Sequence, residues 1–382
     1  MSKQHPMLAA KSTTDVIEPK PPEMSQPTWR PLTRSRDAPI RTIITSDTRL
    51  LGAIPTGNKV VVMHSIDQGT TWERIGCVVS CNDGSKTYGD ATLLLVGGTL
   101  LCAFRVESTG QHFKWQVVVC KSTDTGRSWV FDSVVDTTPA ADGLFVGAPC
   151  LLARGSMLQV YYDKEYAIGD AKMQWVTIRE RGPADTKWGP PRYCLDDTTI
   201  ASIERGAPVG LLRDGMAQVI TTADGNIFAV IETVDEAPPH CNLVRGIRSL
   251  DGGRHWLPRF EIARGKAAPG GSYFNAYNPY AILVGGGPAF VVFCTDEDYS
   301  SPPDKASTRV SERRAAVKLT RSLSKYEDWS PSELVLADGE RAKCYNPGLV
   351  ELPNGGGVIC TVDMLDGSRQ MLIKGGPSAR PV

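Results

Sequence analysis

The chain has 382 residues, 41% of them hydrophobic and 37 of them glycine, enough to bury a large core in one all-β domain. Its 42 basic and 42 acidic side chains cancel and no basic cluster stands out, which argues against nucleic acid or an anionic membrane as partner. No apolar run approaches the roughly 18 residues that span a bilayer.

Residues 1–28 run through Lys20-Pro-Pro-Glu-Met-Ser-Gln-Pro27 and are polar and proline-rich, without the hydrophobic stretch of a secretion signal. They read as a disordered lead-in, residues 29–376 as one domain, and 377–382 as a tail. Ten cysteines are present, but Cys102, Cys120, Cys150, Cys294 and Cys360 sit inside apolar strand runs, where a free thiol packs as a small hydrophobe. Reduced thiols in a cytoplasmic protein are therefore expected.

In chain order, a strand near 38–46 comes first. One pattern, Ser-x-Asp-x-Gly-x-x-Trp, then occurs three times: Ser65 to Trp72, Ser122 to Trp129 and Ser249 to Trp256. This is the Asp-box, and its chemistry suits a tight hairpin. The Asp carboxylate accepts backbone N–H bonds, Gly supplies a positive φ, and Trp folds back over the loop as an apolar plug. These boxes are turn staples rather than catalytic sites. Eroded copies end at Trp188 and Trp329, so the tryptophans advance by 57, 59, 68 and 73 residues.

Each interval holds four strand-like runs. They fall at 91–96, 99–105, 115–122 and 128–134, then at 148–153, 157–162, 173–179 and 191–195. The next sets are 216–221, 226–233, 242–249 and 257–262, then 278–284, 289–295, 315–322 and 332–336. Three more, at 345–351, 357–364 and 369–374, leave the last set one strand short. The predicted fold is an all-β, six-bladed β-propeller with Asp-box turns, its ring closed by the N-terminal strand at 38–46. No segment of helical period appears. Neither a G-x-G-x-x-G turn, a P-loop nor a Cys-x-x-Cys pair is present, and the five histidines lack metal-ligand spacing, so no cofactor and no metal is expected.

A propeller binds a small molecule over its central channel, where inner strands end. The second strands end in Arg105, in Asp163 and Glu165, in Glu232, in Asp296 and in Asp363. The first strands open with Asp90, with Arg213-Asp214-Gly215, with Asn278 and with Tyr345-Asn346. Glu232 follows Phe228-Ala-Val-Ile, an apolar setting that raises a carboxylate pKa, whereas Glu165 follows Tyr162-Asp163-Lys164 and is more solvated. Two carboxylates in unlike settings suit acid–base work. Arg105 is either a charge stabiliser or half of a structural ion pair, and Tyr345 either a phenol on the pocket wall or a core ring. Phe113, Trp115, Tyr162, Tyr273, Phe274, Tyr277 and Tyr280 are candidate apolar lining.

Across residues 37–374 the chain resembles the Asp-box sialidase-like superfamily and, within it, the fungal exo-arabinanase family of glycoside hydrolases. The resemblance rests on Leu101-Cys-Ala-Phe-Arg105, Leu158-Gln-Val-Tyr-Tyr162 with Glu165, Arg213-Asp-Gly-Met216 and Ile231-Glu232-Thr233. It implies glycosidic cleavage by double displacement, with Glu165 and Glu232 as acid/base and nucleophile. The family's Trp-Glu-Pro-Phe segment at the third blade is replaced here by Gly147-Ala148-Pro149-Cys150, and Val106-Glu-Ser-Thr follows Arg105 where the family is polar. A propeller that keeps its mouth but loses sugar-handling groups also resembles the recruited hetero-Diels–Alderases of fungal tropolone–sesquiterpenoid pathways. That resemblance implies loss of water from a tropolone precursor to give an o-quinone methide, then cycloaddition with a humulene-type alkene. Catalysis would fall to Glu232, Glu165, Arg105 and Tyr345. Asp90, Trp115, Tyr162, Arg213, Asp214, Phe274, Tyr277 and Asp296 would bind substrate. A non-catalytic binding propeller is the third expectation.

Overall fold

The structure, a computed structural model, describes residues 29–33, 38–45, 47–109, 114–139, 143–168, 171–183, 185–205, 212–234, 241–268, 273–297, 316–324, 326–337, 344–364 and 367–373. The expected lead-in 1–28, the tail 377–382 and Phe113 lie outside them. Six antiparallel sheets form the ring. Blade one holds Thr42–Ile44, Leu50–Pro55, Lys59–Ser65 and Glu73–Ser80. Blade two holds Lys86–Val96, Thr99–Ser108, Lys114–Ser122 and Val130–Pro139, and blade three Val146–Arg154, Met157–Ile168, Ala171–Arg181 and Arg192–Tyr193. Blade four holds Gly215–Thr221, Ile227–Val234, Asn242–Ser249 and Phe260–Arg264. Blade five is built on Ala276–Leu283, Ala289–Thr295 and Ala316–Ser324, with Asp328–Trp329 and Glu333–Leu336 both pairing with the last of these.

Blade six closes the circle with chain from both ends. Tyr345–Leu352, Gly357–Met364 and Gly367–Ile373 take Arg30–Thr33 as their outermost strand, so the edge of Gly367–Ile373 is paired. The closing strand thus lies upstream of the segment that the sequence pointed to. Within 38–46, Thr42–Ile44 is instead the innermost strand of blade one. One helix was also not foreseen. Asp197–Glu204, capped by the Asp196 side chain on the Thr199 N–H, follows the outer strand of blade three; it carries no buried residue, which is why no apolar periodicity announced it.

The three Asp-boxes are built alike. In each, the Ser hydroxyl bonds the Asp carboxylate at 2.7–2.9 Å and accepts the Gly N–H at 2.7–2.9 Å. The carboxylate also accepts the N–H two residues past that glycine, from Thr71, Ser128 and His255. The glycines have φ of 88°, 92° and 82°, so the turn requires them. The tryptophans do more than cover their own turns. Trp72 donates its indole N–H to Gln370 of blade six at 3.3 Å, and Trp188 to Ser133 of blade two at 3.0 Å. Trp256 meets Tyr161 of blade three edge-on at 6.2 Å, and Trp329 stacks on Phe228 of blade four at 5.9 Å. The repeat therefore rivets blades one, three, four and five each to the one before it. Trp256 is 4% exposed, so Trp256→Ala is expected to lower the unfolding free energy by about 3–5 kcal/mol, read from urea denaturation.

One backbone feature positions the site. In blades two to six the innermost strand slips register near its start, between Gly89 and Thr92, Gly147 and Cys150, Gly215 and Gln218, Tyr277 and Tyr280, and Tyr345 and Gly348. Each bulge carries a non-glycine residue of positive φ: Asp90, Ala148, Met216, Asn278 and Asn346, all between 46° and 52°. Such bulges turn a strand and re-aim its amide toward a site.

Candidate active site

The residue before each bulge pairs in register with a second-strand residue. Gly89 faces Arg105, Gly147 faces Asp163, Gly215 faces Glu232, Tyr277 faces Cys294 and Tyr345 faces Asp363. The bulged amides then bind carboxylates across blade boundaries. The Ala148 N–H donates to Asp90 at 3.3 Å, the Met216 N–H to both Asp163 oxygens at 3.0 and 2.9 Å, and the Asn278 N–H to Glu232 at 2.9 Å. The polar cup is thus a product of the repeat.

A cavity of about 410 Å³ opens among these groups. Asp90, Asp163, Glu165 and Glu232 line it together with Arg105 and Arg213, and Phe145, Ala148, Gln174, Gly215 and Met216 complete the wall. Arg105 binds Asp90 through Nε at 2.7 Å and reaches Glu107 at 3.5 Å, so it is an ion-paired group that also faces the cavity. Its guanidinium lies 4.9 Å from the Trp115 ring and 5.8 Å from that of Phe145. A side chain at Gly147 would collide with Phe145 and Arg105. Those two groups fill the space above the residue that stands where the arabinanase pattern has its tryptophan.

The four carboxylates differ in environment. Glu165 is half-buried and accepts the Phe145 N–H at 2.9 Å. Glu232 is buried. Its Oε1 lies 3.4 Å from the Asn242 amide and 3.7 Å from Arg213, while Oε2 takes the Asn278 N–H. Burial pushes its pKa up, and Arg213 and the Asn278 amide oppose that rise. Asp163 is buried as well, at 3% exposure, but its hydrogen-bond donors are the Met216 N–H and, at 3.5 Å, the Gln174 amide. Burial lifts its pKa well above the usual carboxylate range, and the neighbouring Asp90 and Glu232 add to the lift.

A second chamber, about 310 Å³, adjoins the first, and both share Asp90 and Met216. Its lining is mixed, with Ala38, Ile40, Ala53, Ile54, Pro55 and Ala91 as the apolar part. Arg41, Asn346, Ser368 and Asp363 line it as well. Burial raises Asp363 to about 6, with only the Met364 N–H opposing. A folded-state pKa above the ordinary 3.8 means that ionisation destabilises the fold, a penalty growing from about pH 4 to about pH 6 and constant above. Asp363→Asn is accordingly expected to raise the melting temperature by about 2 °C at neutral pH and to leave it unchanged at pH ~3.

Several expected site residues are placed elsewhere. Tyr162 is fully buried and donates its hydroxyl to Asp136 at 2.7 Å, beside Lys164 and Arg179. Asp214 is held by Arg259 through both oxygens at 2.9 Å, away from the cup. Asp296 is fully buried and takes the Asn275 backbone and side-chain N–H groups at 2.7 and 2.9 Å; in register its place at the mouth belongs to Cys294. Tyr277 is buried in the core that blades five and six share and Phe274 is buried as well, and neither lines the cup. Tyr273 and Tyr280 lie under Arg264 and Arg41 at 4.9 and 5.6 Å. Tyr345 is half-buried beside Asp363, next to the second chamber. Sequence reasoning missed Phe145, Gln174 and Met216. A readable signal existed for the last: Gly89-Asp90, Gly147-Ala148 and Gly215-Met216 recur at the same point of the repeat.

No protein-family model matches the chain, and no curated protein does. Solved structures do resemble it. An α-L-arabinofuranosidase of Fusarium graminearum, solved with an iminosugar inhibitor, is 17% identical, with 91% of this chain and 97% of that one covered at a TM-score of 0.61. An α-L-arabinanase of Penicillium chrysogenum complexed with arabinobiose is 18% identical over 91% and 97%, at 0.60. A Hadza microbial sialidase is 15% identical over 88% and 65%, at 0.55. At such identities the likeness establishes the propeller fold.

Proposed function

We propose that the chain is an enzyme that breaks a C–O bond of a small, oxygen-rich molecule by general acid–base catalysis at the propeller mouth. The observation that carries this is the convergence of Asp90, Asp163, Glu165 and Glu232 on one cavity together with Arg105 and Arg213. Glu232, whose two oxygens take an Asn278 N–H and face Arg213, serves as the carboxylate that accepts a proton or meets a developing cation. A second, protonated carboxyl of the cup serves the leaving oxygen. Arg105, stacked against Trp115, steadies negative charge on the substrate.

The finer reading is dehydration of a tropolone-type alcohol followed by hetero-Diels–Alder capture of an alkene. Two features support it. The second chamber adds apolar wall from Ala38, Ile40, Ala53, Ile54, Pro55 and Ala91 to its polar groups, so a hydrocarbon reactant can be held beside an oxygen-rich one in the cup. Phe145 and Arg105 also occupy the space over Gly147, leaving no room for a larger side chain there. In the first step the hydroxyl is protonated, the C–O pair leaves with water, and Glu232 takes the ring O–H proton, giving a neutral o-quinone methide. The cycloaddition then needs only orientation, which in favourable cases is worth about 7–11 kcal/mol.

A second reading, retaining glycoside hydrolysis, is supported by Glu165 and Glu232 sharing one cavity and by the likeness to arabinan-cleaving propellers. One experiment separates the two. The protein is incubated in parallel with a tropolone alcohol plus humulenol and with linear arabinan. The first reading expects a cycloadduct with a stereochemical profile absent from the protein-free control; released arabinobiose with no such adduct would replace it by the second. If neither forms, the catalytic reading fails and a binding propeller remains.

A further inference from the structure

We propose that Asp163, rather than Glu165, is the catalytic acid of the cup: it gives its proton to the leaving oxygen of the substrate. The inference rests on the acid–base reading above and names its proton donor. Three geometric facts lead to it. Asp163 lines the same cavity as Glu232 and Arg213, on the wall formed by the inner strands of blades three and four. Its carboxyl is buried, whereas Glu165 on the same strand is half-exposed. Among the cup's carboxylates Asp90 bonds Arg105 at 2.7 Å and Glu232 lies 3.7 Å from Arg213, while the donors on Asp163 are neutral amides, from Met216 and Gln174.

Every neighbouring charge bears on this. Asp90 from blade two and Glu232 from blade four face Asp163 and favour its neutral form; Arg213, the cation nearest in effect, acts at a distance and favours the ionised one. Burial outweighs Arg213, because a carboxylate only 3% exposed and hydrogen-bonded by amides loses most of its hydration. A neutral acid beside an arginine-held carboxylate is the division of labour that C–O cleavage uses. The Asp163 O–H proton passes to the leaving oxygen and the C–O bonding pair departs on that oxygen as water or an alcohol. The carbon left electron-poor is neutralised by loss of the substrate's ring O–H proton to Glu232 or, in glycoside cleavage, by a bond to the Glu232 carboxylate. Asp163 remains as carboxylate, steadied by the Met216 N–H until it recovers a proton from the substrate, through Glu232, or from water.

The test joins a direct proton observation with kinetics. Infrared difference spectra of the wild-type protein and Asp163→Asn, taken at neutral pH, are expected to show a protonated carboxyl carbonyl band that the substitution removes. Glu165→Gln should keep that band. Asp163→Asn is then compared on linear arabinan and on para-nitrophenyl α-L-arabinofuranoside, and on a tropolone alcohol and its acetate ester. The expected result is a loss of about 10²–10⁴-fold on the poor leaving group, with the activated partner spared at least tenfold of that loss. Absence of the band, or equal losses on both members of the reactive pair, overturns the assignment. Should Asp163→Asn not fold, Asp163→Ser replaces it in the spectra. Wild-type inactivity toward all four compounds defeats the acid–base reading instead, and the band then still reports whether Asp163 holds a proton.

Discussion

Glu232→Gln is expected to lower turnover by about 10²–10⁴-fold while leaving the fold intact. The substitution keeps the acceptor oxygen for the Asn278 N–H and removes only the group that can take a proton or attack a carbon. Retained structure follows from the same geometry, since Arg213 is more than a third exposed and keeps its contact with water when the carboxylate goes. The pH dependence gives a second readout. Glu232 works ionised, and burial has raised its pKa above 4.5, so activity should fall as pH drops through that raised value. Asp163 works protonated, and its pKa is raised further, so activity should also fall at the alkaline side. A bell results, whose two limbs belong to the coupled carboxylates jointly. In Glu232→Gln the acidic limb should vanish. An unchanged profile with unchanged turnover would show that Glu232 is a structural strand end.

The difference between what was legible in the chain and what was not has a physical basis. Local rules sufficed for the ring: Ser, Asp, Gly and Trp at fixed spacing make one turn, and the turn recurs at blade length. The convergence of Arg105, Asp163, Glu165 and Glu232 followed, because equivalent strand ends of a ring meet at its centre. Register was not legible. A one-residue slip changes which side chain reaches the mouth, and the bulges at Asp90, Ala148, Met216, Asn278 and Asn346 shift it by such steps. Hence Asp296, which aligns with Glu232 by eye, lies past the mouth and binds Asn275, while Cys294 takes the position. Closure was misplaced for a similar reason. Thr42–Ile44 and Arg30–Thr33 are both short and weakly patterned, and nothing local says which of them pairs with Gly367–Ile373. Tyr162 and Tyr277 misled because a buried tyrosine and a pocket tyrosine look identical in sequence; only the Asp136 carboxylate beside Tyr162 tells that one apart.

Asp214 shows how a misplaced site residue becomes a stability prediction. It stands next to Arg213, so a binding role was natural, yet its side chain is 1% exposed and grips Arg259, itself 13% exposed. The surrounding backbone is stitched to the strand Ala171–Arg181. The Asp214 N–H donates to the Gln174 carbonyl at 2.9 Å, and the Gln174 side chain returns a bond to the Asp214 carbonyl at 3.2 Å. Removing one partner of such a buried pair takes the main counter-charge from the other, which typically costs about 3–5 kcal/mol. Asp214→Ala is therefore expected to lower the unfolding free energy by that amount, read from urea denaturation. The double variant Asp214→Ala with Arg259→Met should recover much of the loss, because the buried guanidinium is removed together with its carboxylate. A residue that bound substrate would behave otherwise, with KM raised in Asp214→Ala, stability unchanged, and no rescue from Arg259→Met. Since the pair fixes the segment that carries Arg213, loosening it in Asp214→Ala should weaken the Arg213 contact to Glu232 and move the acidic limb of the pH profile to higher pH, and the double variant should bring it back.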